Sequence, residues 1–172
     1  MIVIPMAGLS SRFTKAGYTK PKYMLPIADE SVFDHSIRSF EAYFKTHSFV
    51  FIVRPVAGTE DFIRHKVNVL GIQDAQIVIL DHETTGQADT VRLGIKKAKI
   101  DVSAPLTMYN IDTFRKNFRV PEASWFQDSD GYLEVFRGQG ANWSYVGPVA
   151  GVLTPLVDRT TEKHPISDLC CD

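Results

Sequence analysis

"MIVIPMAGLSSRF", residues 1–13, is the stretch on which the reading of this chain turns. Ile2 to Ile4 make a β-branched run closed by Pro5, which suits a buried strand better than a helix. The loop behind it, Ala7-Gly8-Leu9-Ser10-Ser11-Arg12, offers backbone N–H groups around Gly8, two hydroxyls and a guanidinium. All are donors suited to phosphate oxygens. Lys22, in "KPKYMLP", adds a point charge within reach if the loop folds back. The loop is neither G-x-x-x-x-G-K-[ST] nor G-x-G-x-x-G, and taken alone a Gly with two Ser behind a strand is more often a plain turn.

Further along, Phe33, Ile37, Phe40 and Phe44 share one helical face from Val32 onward. "FVFIV" (49–53) reads as a second buried strand. Thr59 then stands as the N-cap of a helix whose stripe is Phe62, Ile63, Val67 and Leu70, ending before Gly71. "QIVIL" (76–80) is the third strand. Ala88, Val91, Ile95 and Ala98 keep helical spacing up to Lys96, Lys97 and Lys99, a cluster that suits a helix C-terminus. "LTMYN" (106–110) is the fourth strand. Strands alternating with helices over the first 110 residues predict βαβ units on a Rossmann-like, mostly parallel α/β sheet flanked by helices. Beyond residue 120 the pattern changes: "GYLEVF" (131–136) and "WSYV" (143–146) are strand-like, with a Gly-rich turn and no helix between them. A small mixed or antiparallel extension of the sheet is expected there.

The chain has 172 residues, 44% hydrophobic and 23% charged, enough for one compact domain with a core. Net charge is only −1 and no block of like charges stands out, so the electrostatic footprint of a nucleic-acid binder is missing and a small-molecule partner is expected. The apolar start lacks a basic n-region, contains Pro5 and runs into Arg12, unlike a signal peptide. No stretch approaches the roughly 18 apolar residues of a membrane span. Cys170 and Cys171 are neighbours, offering neither a disulfide framework nor metal-ligand spacing. A cytoplasmic protein with no membrane partner is the expectation.

In an open α/β sheet, ligands gather beyond the carboxyl ends of the strands. The first loop, Thr84-Thr85-Gly86-Gln87 and Asn110-Ile111-Asp112-Thr113 all fall at such ends. Thr85-Gly86-Gln87 reads equally as a helix start capped by Thr85. Asp112 suits a divalent cation, or the capping of the next segment. Each signal is weak alone, and their convergence on one edge points to the phosphates of a nucleotide.

The series "IVIPMAGLSSRF", "KPKYMLP", "TTGQADT", "YNIDTF" and "EKHPISD", in this order from residue 2 to about 168, resembles the sugar-phosphate nucleotidyltransferases, the NDP-sugar pyrophosphorylase family. The resemblance implies that Ala7, Gly8, Leu9, Ser10 and Ser11 wrap a triphosphate, that Arg12 holds the leaving pyrophosphate and that Lys22 contacts the α-phosphate. It implies further that Thr85, Gly86 and Gln87 bind the nucleotide, Gly86 and Gln87 against its base, and that Asp112 binds Mg²⁺. Glu162 and Lys163 match the family's Glu-Lys pair, which meets the acceptor. On this reading residues 1–118 are the nucleotide-binding half, and 119–172 a partial acceptor-binding half, of one domain. Leu9 and Ser10 stand where many members carry further glycines. The family also continues past its Glu-Lys segment and draws a second metal-binding aspartate from there, which no residue here matches, so either the chain is a C-terminally truncated member or its site is completed differently.

The implied reaction transfers a nucleoside monophosphate from an NTP, CTP or UTP favoured, to a phosphorylated acceptor such as a sugar 1-phosphate, in nucleotide-sugar and surface-polysaccharide precursor synthesis. Pyrophosphate leaves. A phosphate monoester has its second pKa near 6 and is mostly the dianion at neutral pH, so no general base is required. None of the Ser-His-Asp or Cys-His type is found. Two rivals stand beside this reading. A glycosyltransferase of related fold would show D-x-D where this chain has Asn110-Ile111-Asp112, and a truncated relative would bind nucleotide without turning it over.

Overall fold

A computed structural model describes residues 1–56, 58–101, 103–122, 126, 128–149 and 157–171. The chain divides into two units, Met1–Arg119 and Val120–Asp172.

The first unit opens with β1 (Ile2–Pro5), a one-turn helix α1 (Ser11–Lys15) and a 3₁₀ turn at Lys22–Met24. A short hairpin, β2 (Pro26–Ile27) and β3 (Glu30–Ser31), leads into α2 (Val32–Ile37) and a 3₁₀ segment at Arg38–Tyr43. Then follow β4 (Ser48–Val53), α3 (Thr59–Leu70), β5 (Asp74–Ile79), α4 (Gln87–Ala98) and β6 (Thr107–Met108). Strands β5-β4-β1-β6 lie side by side and all run parallel, with Ile2 opposite both Phe49 and Thr107. Every crossover therefore carries helix, as parallel neighbours require.

The strands read as continuous apolar runs because both faces of the sheet are covered. Val3, Val50, Ile52, Val78 and Val91 cluster on one face, where α4 packs. On the other, Phe33 meets Phe51 at 5.4 Å between ring centroids and Phe40 meets Phe49 at 6.4 Å. Ser31 and Asp34 form a capping box that starts α2: the Ser31 N–H donates to Asp34 Oδ2 at 2.9 Å and the Asp34 N–H to Ser31 Oγ at 3.3 Å. Lys66 from α3 then pairs with the buried Asp34 at 2.5 Å.

Several local expectations need correction. The stripe Phe33, Ile37, Phe40 and Phe44 is fully buried, yet α2 ends at Ile37 and Phe40 has left helical geometry (φ −103°, ψ 20°). Thr59 does not cap α3: Gly58 occupies that place at φ 77°, and Thr59 is the first helical residue, buried against Tyr23. Gly86, not Thr85, is the N-cap of α4. The fourth strand shrinks to Thr107–Met108, an edge that among the described residues pairs only with β1, and Leu106 and Met108 are exposed.

The second unit holds β7 (Phe136–Arg137), β8 (Ser144–Pro148), β9 (Val157–Glu162) and β10 (Leu169–Cys171), in the order β7-β10-β8-β9, all antiparallel. Tyr145, Val146, Cys170 and Cys171 form its buried side. Of "GYLEVF" only Phe136 is in a strand, and Tyr132, Leu133 and Val135 are exposed. Among the described residues, no helix is long and apolar enough to cross a membrane.

Candidate functional site

Strand order decides where a ligand fits. From β1 the chain steps to β4 and β5 on one side and returns to β6 on the other, so the order reverses between β1 and β6. The crevice outside the carboxyl ends of two strands that part company in this way is the usual binding place of an open α/β sheet. The loop Met6–Ser10 leaves β1 there, and Tyr109–Asp112 leaves β6.

Four contacts knit this edge together. Lys22 Nζ donates to Asp112 Oδ2 at 2.6 Å, across 90 residues of sequence. The pair is partly open to solvent, with side-chain exposures of 28% and 48%. Gln87, the first residue of α4, donates through Nε2 to Asn110 Oδ1. Ser36 Oγ donates to the Asn110 carbonyl at 3.2 Å, fixing the backbone from which both Asn110 and Asp112 project. The Thr85 N–H donates to Asp89 Oδ2 at 3.1 Å, which holds the turn before Gly86 against the first turn of α4.

The first loop is shaped differently at each residue. Ala7 is buried, Gly8 is open to solvent and Leu9 is half exposed. Ser10 sits in the left-handed region at φ 51° and ψ 30°, and its carbonyl accepts the N–H of Phe13 at 2.8 Å and of Thr14 at 3.1 Å. Ser11 and Arg12 lie exposed in α1, and the Arg12 guanidinium makes no ion pair among the described residues. The structure thus brings Lys22, Gln87, Asn110 and Asp112 into one contact set, with the Gly8 loop and Arg12 following β1 at the same edge. Glu162 and Lys163 belong to the second unit. There the Lys163 N–H donates to the Trp143 carbonyl at 3.0 Å, its backbone is left-handed at φ 54°, and it is exposed.

Two residues at this edge were given no role by the sequence. Asn110 fills the place of the first D-x-D aspartate, and its amide is engaged by Gln87. Arg54 follows the end of β4, directly after "FIV". A cation behind a buried strand at the carboxyl edge is the signal that would have found it. Tyr23 lies close by, fully buried. Burial pushes its phenol above the ordinary tyrosine value, partly offset by its hydrogen bond with Thr59 at 3.0 Å and by the positive charge of Arg54.

A parallel sheet with this reversal, a Gly-Ser-Arg loop behind its central strand and a lysine–aspartate pair at the crevice define a nucleotide-handling α/β protein. No protein-family model matches the chain, and no curated protein matches it significantly. Among solved structures, it is 54% identical to the nucleoside-diphosphate-sugar pyrophosphorylase from Vibrio cholerae RC9, with a TM-score of 0.89 over 99% of this chain and 70% of that one. Two UDP-glucose pyrophosphorylase structures share its fold at 16% identity, each matched over 99% of this chain. One, complexed with UDP-glucose, has a TM-score of 0.70 over 72% of its own chain, and the other, an apo form, 0.74 over 73%. The chain belongs to the nucleoside-diphosphate-sugar pyrophosphorylase family, and with it to the nucleotidyltransferases.

Proposed function

We propose that this nucleotidyltransferase moves a nucleoside monophosphate from CTP or UTP onto the phosphate of a phosphorylated small molecule such as a sugar 1-phosphate, releasing pyrophosphate. An oxygen of the acceptor phosphate attacks the α-phosphorus, and the bond from that phosphorus to the β-phosphate bridging oxygen breaks. The acceptor arrives as a dianion, so the protein's task is positioning and charge stabilisation. Lys22 meets the α-phosphate, Arg12 the departing pyrophosphate, and the Gly8–Ser11 backbone and hydroxyls the triphosphate oxygens. Thr85, Gly86 and Gln87 bind the nucleotide at the base, and Glu162 and Lys163 meet the acceptor. The product belongs to the precursors of surface polysaccharide, made in the cytoplasm.

Mg²⁺ is the cation proposed to accompany the triphosphate. Among the described residues, no group of three or more His, Cys, Asp or Glu is poised to hold a metal by protein ligands alone. Asp112, half exposed beside the crevice, fits an ion that takes one carboxylate and fills its other positions with phosphate oxygens and water. Bound there, Mg²⁺ would neutralise charge on the phosphates.

The observation that supports this reading is the 2.6 Å contact between Lys22 and Asp112, which sets an ammonium and a carboxylate side by side at the crevice, the charges that a phosphate and its divalent cation would engage. The test is pyrophosphate release from each of the four NTPs with Mg²⁺ and a panel of sugar 1-phosphates. Release is expected with CTP or UTP and one acceptor. Release that needs no acceptor, or occurs with purine nucleotides alone, would overturn the assignment.

A further inference from the structure

A cleft of about 110 Å³ opens behind the first loop. Gly8, Leu9 and Ser10 form one wall, Thr19 and Lys20 another, and Arg54 reaches it from the end of β4. Its lining holds two cations and several hydroxyls but no carboxylate, although Asp and Glu together number 20 in the chain. Such a lining suits a multiply charged anion.

Arg54 is the unusual member. Its Nε is buried and has no hydrogen-bond partner among the described residues. A buried N–H on a charged group is costly to leave unpaired, and such groups in folded proteins are otherwise satisfied. Two carboxylates of α3, Glu60 and Asp61, line a neighbouring cleft with Arg54; Glu60 is taken by Arg64 at 2.6 Å, and among the described residues no ion pair joins Arg54 to Asp61. The backbone around Arg54 is fixed: the Met6 N–H donates to the Ile52 carbonyl at 2.7 Å, and the Val56 N–H to the Arg54 carbonyl at 2.8 Å. The guanidinium is thus positioned beside the first loop with donor capacity to spare.

We propose that Arg54, together with Lys20, binds the β- and γ-phosphates of the nucleotide and retains them as pyrophosphate after transfer. This rests on the transferase reading above and adds a second cation to the leaving-group side, one anchored on β4 and independent of the exposed Arg12. A guanidinium offers two parallel donors to phosphate oxygens, which suits a bridging diphosphate better than a single ammonium.

The test is calorimetric binding of inorganic pyrophosphate, and separately of CMP and UMP, to the full chain with Mg²⁺. Arg54→Ala is expected to weaken pyrophosphate binding by about 10- to 100-fold, the range for losing charge-assisted hydrogen bonds, and to leave monophosphate binding unchanged. Arg54→Gln keeps most of the stem without the charge and carries the same expectation where the alanine variant fails to fold. Lys20→Ala is expected to weaken pyrophosphate less. Wild-type protein that binds CTP or UTP but not pyrophosphate, or Arg54 variants that bind pyrophosphate as tightly as wild type, would overturn the proposal and leave the transferase reading intact. Equal loss of monophosphate and pyrophosphate binding would also overturn it. Wild-type protein that binds neither nucleotide nor pyrophosphate would overturn both.

Discussion

Lys22 and Asp112 show how much a single contact can say about a residue. Neither was more than a suggestion in the sequence, and their meeting at 2.6 Å makes them parts of one edge. Replacing Lys22 or Arg12 by Ala is expected to lower turnover by about 10²- to 10³-fold, the usual loss for one preorganised electrostatic contact, while melting temperature stays near wild type. Steady-state kinetics beside thermal melts checks both halves. Asp34 makes the opposite kind of contribution, to stability alone. Burial pushes its carboxyl up, but the hydrogen bonds from Lys66 and Ser31 more than compensate and hold it below its ordinary value. Because the folded value is depressed, the stabilisation is present above the unfolded carboxylate pKa of about 3.9 and is lost as pH falls through the folded value. Asp34→Ala should therefore cost about 3 kcal/mol at pH 7, as when one partner of a buried ion pair is removed, and progressively less below about pH 4. Urea denaturation at pH 7 and pH 3 measures the difference. Ser10 is a third case. It sits in the left-handed region at φ 51° and ψ 30°, so Ser10→Gly should relieve strain of roughly 1 kcal/mol, offset in part by glycine's unfolded-state entropy.

At the scale of elements, α4 lies unusually close to the sheet. A Cβ placed on Gly94 would come within 2.6 Å of Ile52 Cγ1, an atom held in the core with no freedom to swing away. Gly94→Ala would gain about 1 kcal/mol of helix propensity but lose about 1–3 kcal/mol to overpacking, so net destabilisation is expected. Ile52→Val in the same chain should recover part of it, and a double-mutant cycle in urea measures the coupling. The elements themselves were largely legible. Ile2–Ile4, Phe49–Val53 and Gln76–Leu80 are apolar runs of strand length bounded by polar or turn residues, and the helical stripes between them have the correct period. What was not legible is tertiary. The capping role of Gly58 depends on a φ of 77° that frees Thr59 to turn inward to Tyr23, and nothing local in "AGTED" reveals it. The 3₁₀ break falls at Phe40, whose ring packs edge-to-face on Tyr109 at 4.7 Å, a partner 69 residues away that nothing local reveals. Arg54 escaped notice for the same reason: its surroundings come from the first loop and from Tyr23, which only folding assembles.

For the molecule as a whole, ligand binding should be visible as stability. At about 100 times Kd a ligand that binds only the folded state adds ~2.7 kcal/mol, which for a chain of this size raises the melting temperature by roughly 5–10 °C. CTP or UTP with Mg²⁺ is expected to give that shift, and an Asp112→Asn variant to give a smaller one with Mg²⁺ present. Equal shifts for the variant and wild type would remove the metal role from Asp112.

The placement of β1 also has a consequence for synthesis. Both of its neighbours lie later in the sequence, some 45 and 105 positions on, at Phe49 and Thr107. At translation speeds of about 5–20 residues per second, an apolar strand with at least one edge bare waits roughly 5–20 s before its second flank arrives. This strand is thus made before either of the strands that enclose it, and any chaperone that shields the sheet should be needed most in the interval between the synthesis of β1 and that of β6.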